Sequence, residues 1–357
     1  MNEFGLLHAE SSLNRLDVID LHPLRQYTMN LTRDLQSNRF EEASFRTKAR
    51  GSDWLHMLHN LCAFVGPFFA YRVSGRVSPV LAGYKITHRC NLSCTHCPYW
   101  RRTGGEQDFG GVLSTLNRLS RMGVRILILE GGEPLLWRDR KMEIRHVIDA
   151  ARTLFRSVCM TTNGTLPWKH LPLDTVWVSL DGTRAVHDSI RGAGVFDKVM
   201  NNLETEGKGH AYISTTINSL NVESVPAMVR ELKGLTAGVT IQFHYPYQGL
   251  PDPLFIPPAD RGEVLDELIH LKRAGYPVAN SFDSLNDLKK ERWTCEDKLL
   301  ANAEPDGAVM HGCYLKNRGP SQCNLCGFAA HNEMSLAFKG GMQSILTGLK
   351  IFFRQKS

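Results

Sequence analysis

The chain has 357 residues, 42% of them hydrophobic and 22% charged, which suits one large domain with appendages around a substantial core. A net charge of +6 fits anionic ligands or a membrane surface, but no Lys/Arg stripe interleaves with aromatic residues, so no nucleic-acid partner is expected. Nine cysteines, odd in number and locally clustered, favour metal in a reducing compartment over disulfides, and without 18 uninterrupted apolar residues no membrane span is expected.

Residues 1–50 are polar with scattered leucines, and short helices or a partly ordered extension are expected there. The first 20 residues are polar and of mixed charge, unlike a signal peptide, so a cytoplasmic location is expected. Trp54, Met57, Leu58, Leu61, Phe64, Val65 and Phe68 then follow helical spacing, broken by His56, His59, Asn60 and Pro67. Two readings stand: a helix packed on the main domain, or one lying in a bilayer interface. Residues 1–78 are read together as a helical N-terminal extension.

From residue 80 strands and helices alternate. Strands are expected at Leu81–Thr87, Arg125–Leu129, Val158–Thr162, Thr175–Leu180, Ala211–Ile217 and Val239–His244. Helices are expected at about 109–122, 141–154, 194–206, 222–233 and 261–273. The order predicts an α/β fold, a partial (β/α)6 TIM-type barrel over 79–285, with ligand groups at the carboxyl ends of its strands.

The first strand runs into Cys90, Cys94 and Cys97, spaced CxxxCxxC. Three thiolates at that spacing can share one soft metal centre. An iron–sulfur cube on three cysteines leaves one iron open, whereas a structural zinc needs a fourth ligand, for which His96 could serve. The triplet alone leaves both open. After the second strand comes Gly131-Gly132-Glu133-Pro134, whose glycines permit close backbone approach and whose carbonyls can face an ammonium group.

The two motifs together resemble the radical SAM superfamily. The resemblance implies a [4Fe–4S] cluster on Cys90, Cys94 and Cys97, whose open iron chelates the amine and carboxylate of S-adenosylmethionine. It implies that Gly131, Gly132, Glu133 and Pro134 meet that amine. An external flavodoxin- or ferredoxin-like donor would supply one electron. The products are methionine and a 5′-deoxyadenosyl radical, which abstracts hydrogen from, or adds to, an unactivated carbon. No further catalytic acid or base is evident.

Other strand ends carry polar groups. Asn163, in the turn Thr161–Gly164, caps a helix or, by the resemblance, lies beside the cofactor. Ser179 and Asp181 share one side of their strand; the resemblance gives them the cofactor's ribose or carboxylate. His187–Gly192 looks like the family's HDxxRG turn, in which Arg191 meets the cofactor carboxylate. The alternative is a surface loop with an internal Asp–Arg pair. Ser214 and Thr216 share a face toward the ribose, and Ile241-Gln242-Phe243-His244 could flank the adenine. His96 stands where many members carry an aromatic residue against the adenine.

Cys295, Cys313, Cys323 and Cys326 form a second set of four. Zinc is one reading. The set also resembles an abbreviated SPASM or twitch-type extension, which implies an auxiliary [4Fe–4S] cluster in 286–335. More loosely, the tail is similar to that of hopanoid-biosynthesis radical SAM proteins. Met342, Ile345, Leu346, Leu349, Phe352 and Phe353 then mark a basic amphipathic helix in 336–357, docked on the protein or lying on an anionic bilayer as a peripheral membrane contact. The substrate reading leans to a lipid or isoprenoid, with a peptide or protein as the alternative. A non-catalytic iron–sulfur or zinc protein is a third reading, in which the Gly131–Pro134, Asn163 and Arg191 turns have no purpose.

Overall fold

A strand buried on both faces from Leu81 and a helix with one buried face from Phe109 begin an alternating pattern that carries through to Arg273. The computed structural model describes Gly66 and residues 77–290, 293–316 and 321–353, and all of these lie in one compact unit, Trp54–Ser357. The extension at 1–50, the apolar segment at 54–71 and Cys62 therefore fall outside the described residues, apart from Gly66.

Six parallel strands lie in sequence order: β1 (Leu81–Thr87), β2 (Ile126–Gly131), β3 (Ser157–Thr162), β4 (Thr175–Ser179), β5 (Tyr212–Ile217) and β6 (Gly238–Phe243). The crossovers carry α1 (Phe109–Arg121), α2 (Ile144–Leu154), α3 (Arg184–Arg191), α4 (Val195–Asn202) and α5 (Val225–Glu231), with α6 (Gly262–Arg273) after β6. Alternate strand residues such as Tyr84, Leu127, Met160, Val178 and Ile213 pack on Leu116, Val147, Val199 and Leu265 of these helices in the main core. Asp108 starts α1 by accepting a hydrogen bond from Gly111 N (2.8 Å). Glu143 and His146 make a reciprocal cap on α2.

Two differences from the sequence expectation matter. The His187–Gly192 stretch, expected as a turn, is the end of helix α3, stopped by Gly192. The cysteine-rich extension also joins the sheet: β7 (Leu300–Ala303) pairs parallel with β1, and β8 (Val309–His311) pairs antiparallel with β7. The chain then returns to the far edge, where Phe243 N donates to Gly327 O (3.0 Å). The extension thus runs from one edge of the open barrel to the other. Buried Arg261 holds it there, donating to Ile256 O, Leu325 O and Cys326 O.

After α7 (Phe282–Lys290), helix α8 (Ala329–Phe338) crosses the boundary expected at 335 and is followed by α9 (Met342–Phe352). Helix α9 lies against the inner face of the sheet at the amino-terminal ends of the strands. Ile345 clusters with Val80, Ile126 and Leu299, and Ile351 with Cys159, Trp177 and Tyr212. Glu333 of α8 fixes it, accepting from Ser344 Oγ (2.5 Å), Ser281 Oγ (2.9 Å) and Ser281 N (2.6 Å). The apolar stripe is therefore divided: Ile345 and Ile351 are buried in the protein, while Met342 and Leu346 remain exposed. Among the described residues no helix is long and apolar enough to cross a membrane.

Candidate functional site

The carboxyl ends of β1 and β2 are joined beyond their last strand residues. Gly132 N donates to Thr87 O (2.8 Å) and Glu133 N to Arg89 O (2.8 Å), so the glycine turn is zipped to the start of the cysteine loop. Gly131 sits at φ 142°. A Cβ on Gly132 would stand 2.2 Å from Arg89 O and 2.6 Å from His88 O. Only glycine permits that approach.

Glu133 is fully buried. It accepts from Thr162 Oγ1 (2.9 Å), Asn163 N (2.7 Å) and Leu135 N (3.2 Å). Burial pushes its carboxyl up to about 7 despite these donors. It braces the Thr162–Gly164 turn against the glycine turn, while buried Pro134 opens a short 3-10 turn. Asn163 caps no helix. Its Nδ2 donates to Asn91 Oδ1 (2.7 Å) and lies 3.9 Å from Cys90 Sγ. Its Oδ1 accepts from Thr165 N and Oγ1.

Asp181 closes the other side of the loop. Arg191 Nε donates to Asp181 Oδ2 (2.6 Å), and Thr216 N donates to Oδ1 (2.9 Å). Burial opposes charge on Asp181, yet Arg191 and His96 beside it and the Thr216 N–H hold its carboxyl below the usual range. The alternative reading, an Asp–Arg pair internal to the His187–Gly192 stretch, is not what the structure holds. Arg191 takes Asp181 on the neighbouring strand end, and Asp188 instead accepts from Gly194 N and Phe196 N. Arg191 Nη1 lies 3.9 Å from Cys94 Sγ. His96 Nε2 lies 3.9 Å from Asp181 Oδ2, and burial lowers its imidazole to about 4, leaving it neutral at pH 7. Ser179 and Ser214 are register partners on β4 and β5, and Ser214 faces the lumen below the mouth.

The donor set fits a cluster. Cys90, Cys94 and Cys97 are free thiols. Burial pushes Cys90 up and Cys94 to about 11, so a bare thiolate is costly there and a bound cation would relieve it. Asn163 and Arg191 supply N–H groups toward two of the sulfurs, one of the levers that tune such centres.

The second set gathers beside β6. Burial, then the neighbouring Cys326 and Cys313 thiols, push Cys295 up to about 12; burial leads the shift of Cys326 to about 12. Cys313 is buried against Phe328 and Leu315, and Cys323 is exposed. Among the described residues no three His, Cys, Asp or Glu side chains converge as they would on a single ion.

Residues 84–232 match the sequence model of the Radical SAM superfamily. The chain carries a radical SAM domain. Its relatives include the AdoMet-dependent heme synthase of Methanosarcina barkeri (29% identical, over 54% of each chain). The mycofactocin maturase MftC of Mycobacterium ulcerans is 29% identical over 46% of this chain and 48% of its own. The sporulation killing factor maturation protein SkfB of Bacillus subtilis is 29% identical over 43% and 39%. The chain thus spans about half the length of the curated relatives it matches. Streptococcus suis SuiB bound to its precursor peptide SuiA shares the fold, with a TM-score of 0.55 at 14% identity over 91% of this chain and 79% of that one. The radical SAM family uses a [4Fe–4S] cluster and S-adenosylmethionine.

Sequence reasoning did not single out Lys85, Glu130, Tyr314 or His331, which line the lumen under this mouth. The signal was present for Lys85, a charge in the inward phase of a buried strand.

Proposed function

We propose that this chain is a radical SAM enzyme with its cluster on Cys90, Cys94 and Cys97. The observation that carries the reading is the junction of cysteine loop and glycine turn, with Asn163 and Arg191 each aimed at a cluster thiol. When bound, cluster and S-adenosylmethionine together supply a 5′-deoxyadenosyl radical once an external one-electron donor has reduced the cluster. The chain's own residues do the rest. Gly131 and Gly132 let the backbone close on the cluster loop, and Glu133 locks the Asn163 turn in place. Asp181 fixes Arg191 and His96 at the mouth, where they meet polar groups of the cofactor, with Ser179 and Ser214 one layer below.

Cys295, Cys313, Cys323 and Cys326 would hold an auxiliary [4Fe–4S] cluster. Cysteines on a cube bind separate corners and need not converge as zinc ligands do, which supports this over zinc. Four ligands leave it no open iron for substrate.

The substrate is read as a small lipid-like or isoprenoid molecule in the lumen. Its support is the apolar floor of the lumen, formed by Leu81, Leu300, Met334, Ile351 and Phe352, and the closure of the sheet edge. The β6 groups that a peptide strand would pair with are taken by Pro277, Asn280 and Gly327. A peptide substrate is the second reading, favoured by the printed roles of SkfB and SuiB. The reaction is tested by reducing the anaerobically reconstituted protein with dithionite in the presence of S-adenosylmethionine, lipid extract and peptide extract in turn. Release of 5′-deoxyadenosine that disappears in a Cys90→Ala/Cys94→Ala/Cys97→Ala variant is expected. Release that persists in that variant contradicts the assignment.

A further inference from the structure

The lumen is a cavity of about 340 Å³ between the inner face of the sheet and helices α8 and α9. Register sets its levels. Leu81 stands beside Leu300, Gly83 beside Ile128 and Asn302, and Lys85 beside Glu130. Polarity therefore rises along the strands. The amino-terminal level is apolar and is floored by Met334, Ile351 and Phe352, while the level below the cofactor mouth carries an ion pair.

That pair is asymmetric. Lys85 Nζ meets Glu130 Oε1 at 2.9 Å, with side-chain exposures of 5% and 34%. The ammonium also lies 4.5 Å from the Tyr314 ring centre and 5.5 Å from that of Tyr99. A Cβ on Gly83 would stand 2.3 Å from Glu130 Oε1, so the carboxylate is folded over the glycine into the lumen. Lys85 is fixed and dry and must keep a counter-ion; Glu130 is the exchangeable partner. His331, on α8 across the lumen from the sheet, has a buried Nδ1 with no hydrogen-bond partner.

The geometry points to a substrate with an apolar body and a carboxylate-type anionic head, a substrate class that rests on the radical SAM reading of the domain. The head takes the place of the Glu130 carboxylate on Lys85, and His331 Nδ1 meets its second oxygen. The body runs down the inner face to α9. A cavity of this size falls in the range of small-ligand sites. The head end lies nearer the cofactor mouth, so the carbon attacked belongs to the head's side of the molecule.

Calorimetric titration of the full-length, anaerobically reconstituted protein with decanoate, decanol and decylamine tests this. Decanoate is expected to bind about tenfold tighter than decanol, with decylamine weakest. Lys85→Met removes the preference. Glu130→Gln removes the internal competitor and is expected to bind decanoate about tenfold tighter than the unmodified protein. An ion pair that serves structure alone predicts no such gain. Equal binding of decanoate and decanol overturns the proposal, as does a Glu130→Gln variant that binds decanoate no better. Cleavage of S-adenosylmethionine without any charge preference retires the anionic-head site alone. Charge preference in a protein that never releases 5′-deoxyadenosine retires the enzymatic reading and leaves the site standing.

Discussion

Gly132 shows how little room the cluster loop has. An alanine there must displace the Arg89 and His88 carbonyls, which are backbone and cannot swing aside. Gly132→Ala is expected to cost about 2 kcal/mol of stability and to lower iron uptake, measured by thermal melting and iron assay. Glu133 sets a pH dependence. Its folded pKa of about 7 lies above the ordinary 4.5, so its contribution to stability is full below about 4.5 and is lost as pH rises through about 7. His187 runs the other way. Burial, then Arg191, lower it from 6.5 to about 4, so its contribution is present above 6.5 and is lost as pH falls through about 4. Melting temperatures between pH 4.5 and 7 should therefore show a component that falls with rising pH and is absent in Glu133→Gln, which cannot ionise. The triplet and the glycine turn were legible from spacing alone. The roles of Glu133 and Arg191 were not, because the donors around Glu133 and the carboxylate under Arg191 come from other strand ends.

Among the elements, the six strands and the helices around them were legible because short apolar and β-branched runs of five to seven residues alternate with segments of helical period. Strand β7 was not, since Leu300–Ala303 is too short to show a period and its partner β1 lies more than 200 residues earlier. Helix α9 was legible as an amphipathic helix but not as a docked one: an apolar stripe reads the same against a bilayer as against a protein. Its contact predicts that Ile351→Ala, emptying the space beside Trp177 and Tyr212, costs about 2–4 kcal/mol in denaturant unfolding. Arg261 offers a second test. Three carbonyls depend on it, two of them in the cysteine segment, so Arg261→Met should loosen that segment. The expected result is a fall from about eight irons per chain to about four, with the first cluster retained.

At the scale of the molecule, one open barrel brings together a cysteine loop at its mouth, a second cysteine set across its gap and a lumen closed below by the C-terminal helices. The central claim is that the two cysteine sets differ in kind: three thiols with an open position at the mouth, four thiols in a closed set beside β6. Electron paramagnetic resonance of the dithionite-reduced protein, before and after adding S-adenosylmethionine, addresses this directly. In a variant with Cys295, Cys313, Cys323 and Cys326 all changed to alanine, a reduced-cluster signal should remain and should shift when S-adenosylmethionine is added. In a variant lacking Cys90, Cys94 and Cys97, the remaining signal should not shift. A spectrum that S-adenosylmethionine leaves unchanged in the first variant, or shifts in the second, would contradict the account.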